Sequence, residues 1–258
     1  MTRYPFTSAL ITGASSGIGE AMAGLLGDAG VPTVVVARRT DRLQQLADRY
    51  PGFEVLGADL NDADGLAAVE QRILDTSAPI DLVVNNAGFG TSGLFLELDP
   101  DRLHDEIGLN VQALTRLSHA ALRAMVPRKR GYLLNVSSMA SFQSAPRLAV
   151  YAATKAYVTS LTESLHEESR GTGVRVTALC PGLTKTEFQD VSNSEEYASN
   201  YPSFAWLSVD QVAAEGLADV ARGRALSIPG VLYKGASFMT GITPRGITRR
   251  LSSLVQRT

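Results

Sequence analysis

A chain of 258 residues, 45% hydrophobic and 19% charged, can bury the core of one doubly wound α/β domain, and residues 1–258 are expected to form it. A net charge of −2 gives no reason to expect nucleic acid, and the single cysteine, Cys180, excludes an internal disulfide and fits a reducing, cytoplasmic compartment. No run reaches the ~18 apolar residues of a spanning helix, and the N-terminus lacks the apolar stretch of a secretion signal.

The first predicted strand is Phe6 to Ile11. It runs into the turn Thr12-Gly13-Ala14-Ser15-Ser16-Gly17-Ile18-Gly19, and then into a helix with Ile18, Met22, Leu25 and Leu26 on one face. Glycines let the backbone turn sharply and let a diphosphate approach the helix N-terminus, where unpaired N–H groups and the dipole favour anions. Thr33 to Ala37 reads as the second strand, with Asp41 placed to cap a helix through Leu46. Phe53 to Leu56 is the third, followed by a helix from about Asn61 to Leu74, and Ile80 to Val84 is the fourth. Gly88-Phe89-Gly90-Thr91-Ser92-Gly93 matches G-x-G-x-x-G, but no helix opens directly on it, so it reads as a mobile loop. Asp99 as N-cap and Pro100 at the first helical position start a long helix reaching Met125. Tyr132 to Val136, Arg175 to Leu179 and Ala225 to Ile228 complete the strands, and a helix containing Tyr151 runs to about Ser169. Repeated βαβ units imply a parallel sheet with helices on both faces and ligands at the carboxyl ends of its strands. The glycine turn, Asp59, Asn86, Ser138 and Pro181 all fall just after such ends.

Tyr151 and Lys155 form the only Y-x-x-x-K in the chain. Four residues apart on a helix, they share a face, so the ammonium can sit beside the phenol and pull its pKa down from ~10. At the end of the second strand an acidic residue would favour NAD(H), whereas an arginine accommodates a 2′-phosphate. Here Arg38 and Arg39 stand with no carboxylate before Asp41, which points to NADP(H) in preference to NAD(H). Cys180, inside the apolar run from Val176, reads as a buried structural thiol, and His104, His119 and His166 read as surface residues without partners. No cluster of His, Cys and carboxylates indicates a metal.

In their order, Thr12-Gly13-x-x-x-Gly17-Ile18-Gly19, Asn85-Asn86-Ala87-Gly88, Asn110, Ser138, Tyr151-x-x-x-Lys155 and Pro181-Gly182 make the chain resemble the short-chain dehydrogenases/reductases over roughly residues 6 to 186. The resemblance implies a Rossmann-like sheet of about seven strands and an oxidoreductase acting on a ketone or secondary alcohol. Cofactor contacts would fall to Gly13, Ser15, Ser16, Gly17, Ile18, Gly19, Asp59 (beside the adenine), Leu60, Asn86, Ala87, Gly88, Tyr151, Lys155, Pro181, Gly182, Thr184 and Thr186. Tyr151 would protonate the carbonyl oxygen and Lys155 would bind the nicotinamide ribose and acidify the tyrosine. Ser138, selected over Ser137 by the family spacing of thirteen residues to the tyrosine, would stabilise the developing charge. Asn110, flanked by Leu109 and Val111, would be a buried relay holding water behind Lys155.

The resemblance makes 183–210 a lid over the substrate. Phe188, Tyr197, Tyr201, Phe204 and Trp206 lie there, suited either to a bulky apolar substrate or to packing of the lid itself. The family also implies a homo-oligomer, dimer or tetramer, but the C-terminal segment departs from its usual closing turn, against the tetramer. Residues 229–258 form a basic tail: after Asp219 come Arg222, Arg224, Lys234, Arg245, Arg249, Arg250 and Arg257 and no acid. Packing against its own or a neighbouring subunit is preferred to contact with an anionic membrane, because Pro244 and Gly246 interrupt any long amphipathic helix. The readings from other classes are an NADP(H)-binding sensor without turnover, against which the complete tetrad counts, and an epimerase or dehydratase of the same superfamily.

Overall fold

A computed structural model describes residues 4–192 and 202–242. Its centre is a seven-stranded parallel sheet of order β3-β2-β1-β4-β5-β6-β7. The strands are β1 (Ala9–Thr12), β2 (Thr33–Ala37), β3 (Phe53–Gly57), β4 (Leu82–Asn85), β5 (Gly131–Val136), β6 (Val174–Leu179) and β7 (Leu226–Ser227). The helices are α1 (Gly17–Asp28), α2 (Thr40–Arg49), α3 (Ala63–Leu74), α4 (Pro100–Ile107), α5 (Leu114–Met125), α6 (Ala149–Glu168), α7 (Phe188–Val191), α8 (Val209–Arg222) and α9 (Val231–Ile242). Order reverses at β1, which pairs with β2 on one side and β4 on the other, so a crevice opens beyond their carboxyl ends.

Covered on both faces, the central strands are continuous apolar runs rather than alternations. Ile11, Val35, Leu134 and Leu179 face Met22 and Leu26 of α1 and Leu217 and Val220 of α8. Leu10, Val34, Val83, Leu133 and Val176 face Val69 and Ile73 of α3 and Leu117 and Met125 of α5. Each fully buried Leu or Ile contributes roughly 1.5–3 kcal/mol. A polar seam crosses the second layer: Asn85 Nδ2 donates to Asn135 Oδ1 at 2.9 Å and Ser118 Oγ at 3.1 Å, and Asn135 Nδ2 donates to Thr162 Oγ1 at 3.0 Å. It joins β4, β5, α5 and α6, and an apolar replacement on one side alone would strand a buried partner.

The strands fall within three residues of their expected ends, the largest shift being the start of β1, and helix starts and interiors account for the other differences. Asp41 is not the cap of α2; Arg39 precedes the helix and Asp41 sits in its first turn, where its charge still favours the dipole. Asp62 caps α3 by accepting from Gly65 N at 3.0 Å, so this helix begins two residues after its expected start. Asp99 caps α4 through Asp101 N at 3.0 Å as expected. The long helix to Met125 is interrupted, however, by a π-turn over Gly108–Ala113. Such a turn inserts an extra residue and rotates the helical turns beyond it. His166 is not a free surface residue, since its Nδ1 lies 2.8 Å from Val176 O. His104 and His119 are exposed, and Cys180 is buried. No helix among the described residues is long and apolar enough to cross a membrane.

Candidate active site

A cleft of about 550 Å³ opens at the carboxyl ends of β1, β4 and β5. Gly13 and Gly17 hold the left-handed conformation, φ 67° and 60°, that turns β1 into α1. Ser16 makes no side-chain cap on α1, so the first-turn N–H groups face the cleft lined by Gly13, Ser15, Ser16, Gly17 and Ile18. Gly19 does not line it. A Cβ there would lie 2.4 Å from Gly13 O, so its lack of a side chain lets α1 pack on the turn. Asn86 fastens β4 to β1, its Nδ2 donating to Thr12 O at 2.9 Å and Gly13 O at 3.1 Å, and Ala87 and Gly88 continue the wall.

The two arginines after β2 separate. Arg38 reaches Asp59 at 3.6 Å, both exposed, and Asp59 and Leu60 line the cleft beside it. Arg39 donates from Nη2 to Ser15 Oγ at 3.0 Å and Ser16 Oγ at 2.8 Å, and from Nη1 to Glu187 Oε2 at 2.8 Å. Arg42 binds the other oxygen, Oε1, at 2.6 Å. An ion-pair bridge thus spans the cleft from the β2–α2 turn to the segment after β6. These two arginines hold the Glu187 carboxyl below its ordinary range. Neither Glu187 nor Arg42 was expected from the sequence, because no local pattern marks two partners so far apart in the chain.

At the other end Tyr151 and Lys155 sit together, Nζ 5.7 Å from the phenol ring centroid and donating to Val136 O at 2.8 Å. Ser138 lines the cleft and accepts from Ala140 N at 3.1 Å, whereas the Ser137 hydroxyl turns away to donate to Lys155 O at 2.8 Å. Burial pushes the Tyr151 phenol up to about 12, a hydrogen bond from Ser138 opposing and Glu106 reinforcing the rise. Burial also pulls the Lys155 ammonium down to about 8. Loss of solvation is the largest effect on both groups.

The π-turn places Asn110 inside. Its Oδ1 accepts from Phe89 N at 3.1 Å, and its Nδ2 donates to Phe89 O at 2.8 Å and Thr154 Oγ1 at 3.1 Å. The side chain so pins the loop at Gly88, where a Cβ would lie 2.7 Å from Asn110 Oδ1 and 3.5 Å from Lys155 Nζ. Glu106, one turn earlier and fully buried, escaped the sequence reading, although i, i+4 spacing puts it on the face of Asn110.

Pro181, Gly182, Thr184 and Thr186 line the remaining wall, with the Phe188 ring tilted by 52° against Tyr151 at a centroid distance of 5.2 Å. Trp206 is half-buried and Phe204 exposed, while Tyr197 and Tyr201 lie outside the described residues. Tyr233 of α9 also lines the cleft and was not foreseen, since residues 229–258 read as a tail. Its hydroxyl donates to Ala205 O at 2.7 Å and accepts from Leu183 N at 3.0 Å. Its ring fills the space a Cβ on Gly182 would need, 2.0 Å from Cζ. Lys234 meets Glu215 at 3.3 Å, and Arg222 and Arg224 meet Asp219 at 3.5 and 3.4 Å; Arg245, Arg249, Arg250 and Arg257 lie outside the described residues. Among the described residues no group of His, Cys, Asp and Glu could hold a metal ion.

Known proteins resemble this chain in sequence and fold. The family model described as short chain dehydrogenase matches residues 7–197. An uncharacterized oxidoreductase of Myxococcus xanthus is 39% identical over 197 residues, 75% of this chain and 78% of that protein. Among solved structures, a short-chain dehydrogenase from Sphingobium yanoikuyae in complex with NADPH is 32% identical with a TM-score of 0.81, covering 92% of this chain and 96% of its own. A bulky-bulky ketone specific alcohol dehydrogenase from Comamonas testosteroni is 29% identical with a TM-score of 0.76, covering 93% and 95%.

Proposed function

The chain belongs to the short-chain dehydrogenase family, and as an oxidoreductase of that family, we propose, it transfers hydride between NADP(H) and an apolar ketone or secondary alcohol. One observation carries the reading: Tyr151, Lys155 and Ser138 converge at one end of a cleft whose other end is the open N-terminus of α1 beside Arg38 and Arg39. The residues present fit the cofactor. Gly13 and Gly17 leave backbone bare where a diphosphate would lie, and Arg39, Ser15 and Ser16 offer donors to a 2′-phosphate.

When bound, the dihydronicotinamide supplies the hydride. Tyr151 donates its O–H proton to the carbonyl oxygen as that oxygen gains charge, and the Ser138 hydroxyl donates a hydrogen bond to it. The Lys155 ammonium holds the nicotinamide ribose, while Asn110 keeps the loop at Gly88 in register with Lys155. Met139, Leu148, Leu183, Phe188 and Val191 give the cleft an apolar wall, which supports an apolar substrate. The Comamonas relative, named for bulky ketones, points the same way.

The test is a panel of ketones and secondary alcohols monitored by NADPH absorbance. Oxidation of NADPH with an apolar ketone is the expected result. Tight NADPH binding without turnover of any member would instead favour the sensor.

A further inference from the structure

Gly88-Phe89-Gly90-Thr91-Ser92-Gly93 opens no helix, yet the structure holds this loop along its length. Asn110 takes both backbone groups of Phe89, and Gly93 N donates to Arg147 O at 2.9 Å. Between them the loop meets a residue 102 positions away in the chain: Gly90 N donates to Ser192 Oγ at 3.0 Å. Ser92 N donates to Ser192 O, also at 3.0 Å, and Arg102 of α4 donates to Val191 O beside it. Ser192 is 0% exposed, so its hydroxyl is shielded from water. Gly90 has no left-handed backbone, and what its missing side chain supplies is room: a Cβ there would lie 3.1 Å from Tyr151 Cδ2 and 3.3 Å from Phe188 Cζ.

Ser192 closes the segment that carries Phe188 and Val191 into the cleft wall. There α7 is a single turn of four residues, and a helix so short has no stability of its own. Val191 is 50% exposed, so burial of its side chain does not hold it either. The segment is fixed at its ends, by Glu187 on Arg39 and Arg42 before the turn and by Val191 and Ser192 on α4 and the loop at its close. We propose that Ser192 is a positioning residue that seats Phe188 and Val191 against the Gly90 loop, and so sets the affinity for the bulky apolar part of the substrate without acting in hydride transfer. This rests on the reading above that the cleft takes an apolar ketone or secondary alcohol. Without Oγ the seated segment leaves the Gly90 N–H buried and unpaired, a penalty that only the seated state carries. The unseated population therefore grows, and with it the loss of the apolar wall.

At saturating NADPH, Ser192→Ala is expected to raise KM roughly tenfold for the best apolar ketone of the panel. Turnover and the calorimetric Kd of NADPH should each stay within about threefold of the wild type, as when binding shared by ground and transition states is lost. Ser192→Thr keeps the hydroxyl and returns KM toward the wild-type value. The split between KM and kcat is the deciding readout. If Ser192 served folding alone, its loss would leave part of the enzyme unfolded and lower the apparent kcat at unchanged KM. That result, or an unchanged KM in a folded Ser192→Ala, would overturn the proposal.

Should Ser192→Ala fail to fold, Arg102→Ala removes the bond to Val191 O at the same attachment. There KM is expected to rise about threefold at unchanged kcat, and an unchanged KM would overturn the proposal. Amide hydrogen exchange on the free protein needs no substrate and separates this inference from the reading it rests on. In either variant, peptides covering 88–93 and 186–192 should exchange roughly tenfold faster than in the wild type, and those of β4 and β5 at the wild-type rate. A wild type that turns over no ketone or alcohol overturns the functional reading alone. The seat then stands on faster exchange in both segments and falls on equal rates.

Discussion

The Tyr151 hydroxyl differs from a solvated phenol because its ring is enclosed by Phe188, Gly90 and α6 itself. Raised to about 12, it keeps its proton across the physiological range and suits the acid of a reduction. Tyr151→Phe is expected to bind NADPH as the wild type does and to lose ~10²–10⁴-fold in turnover. Calorimetry and steady-state rates on the same preparation separate the two effects, and near-normal rates would show another acid at work. The pH dependence comes from its neighbour. Reduction should slow as pH rises through about 8, where Lys155 discharges, and not wait for the tyrosine. Tyr151 and Lys155 were legible from their i, i+4 spacing, and Ser138 and Asn110 through the family resemblance. Glu106 was not, because the acids of an exposed helix face look alike until burial is known.

Among the elements, the turn after β2 and the segment after β6 make the cofactor end of the cleft. The sequence offered Arg38 and Arg39 without choosing between them. The structure distinguishes them, since Arg39 joins Ser15 and Ser16 whereas Arg38 meets Asp59. Arg39→Ala is expected to weaken NADPH roughly tenfold to a hundredfold with little effect on NADH, and Arg38→Ala to do less. Titration with both cofactors checks the order. Glu187 competes for the same guanidinium groups, so Glu187→Gln should tighten 2′,5′-ADP. Because the bridge is partly solvated the gain is small, about two- to fivefold. Weaker binding would mean that Glu187 orients Arg39 instead of competing for it. Helix boundaries were legible where Asp99 and Pro100 mark them. The π-turn was not, because its cause is tertiary: Asn110 is drawn to the loop at Phe89.

For the molecule as a whole, the parallel sheet was foreseeable from seven apolar strands alternating with helices, and its stability rests on burial of both faces. One charged contact adds a pH limit. Asp81, buried at the start of β4, accepts from Thr7 N at 3.1 Å and Arg130 Nη2 at 2.8 Å. Burial alone would raise its carboxyl, but bonds from Thr7 and Arg130 outweigh that and hold it below its ordinary value. A depressed carboxyl contributes stability above its unfolded value of 3.8, which is lost as pH falls through the folded one. Asp81→Asn should cost about 1–2 kcal/mol at neutral pH, since Arg130 is half exposed, and flatten the acid limb of denaturant-measured stability. An unchanged acid limb would place that sensitivity elsewhere.

Tyr233 adds an order in time. Every residue assigned to the cofactor end, from Gly13 to Thr186, leaves the ribosome before α9, and domains acquire structure from the N-terminal side as they are made. The segments that form that end can thus take up structure while the wall at Gly182 is still missing. That wall of the cleft comes late in synthesis, completed when one phenol from α9 slides under the glycine and ties Leu183 to Ala205.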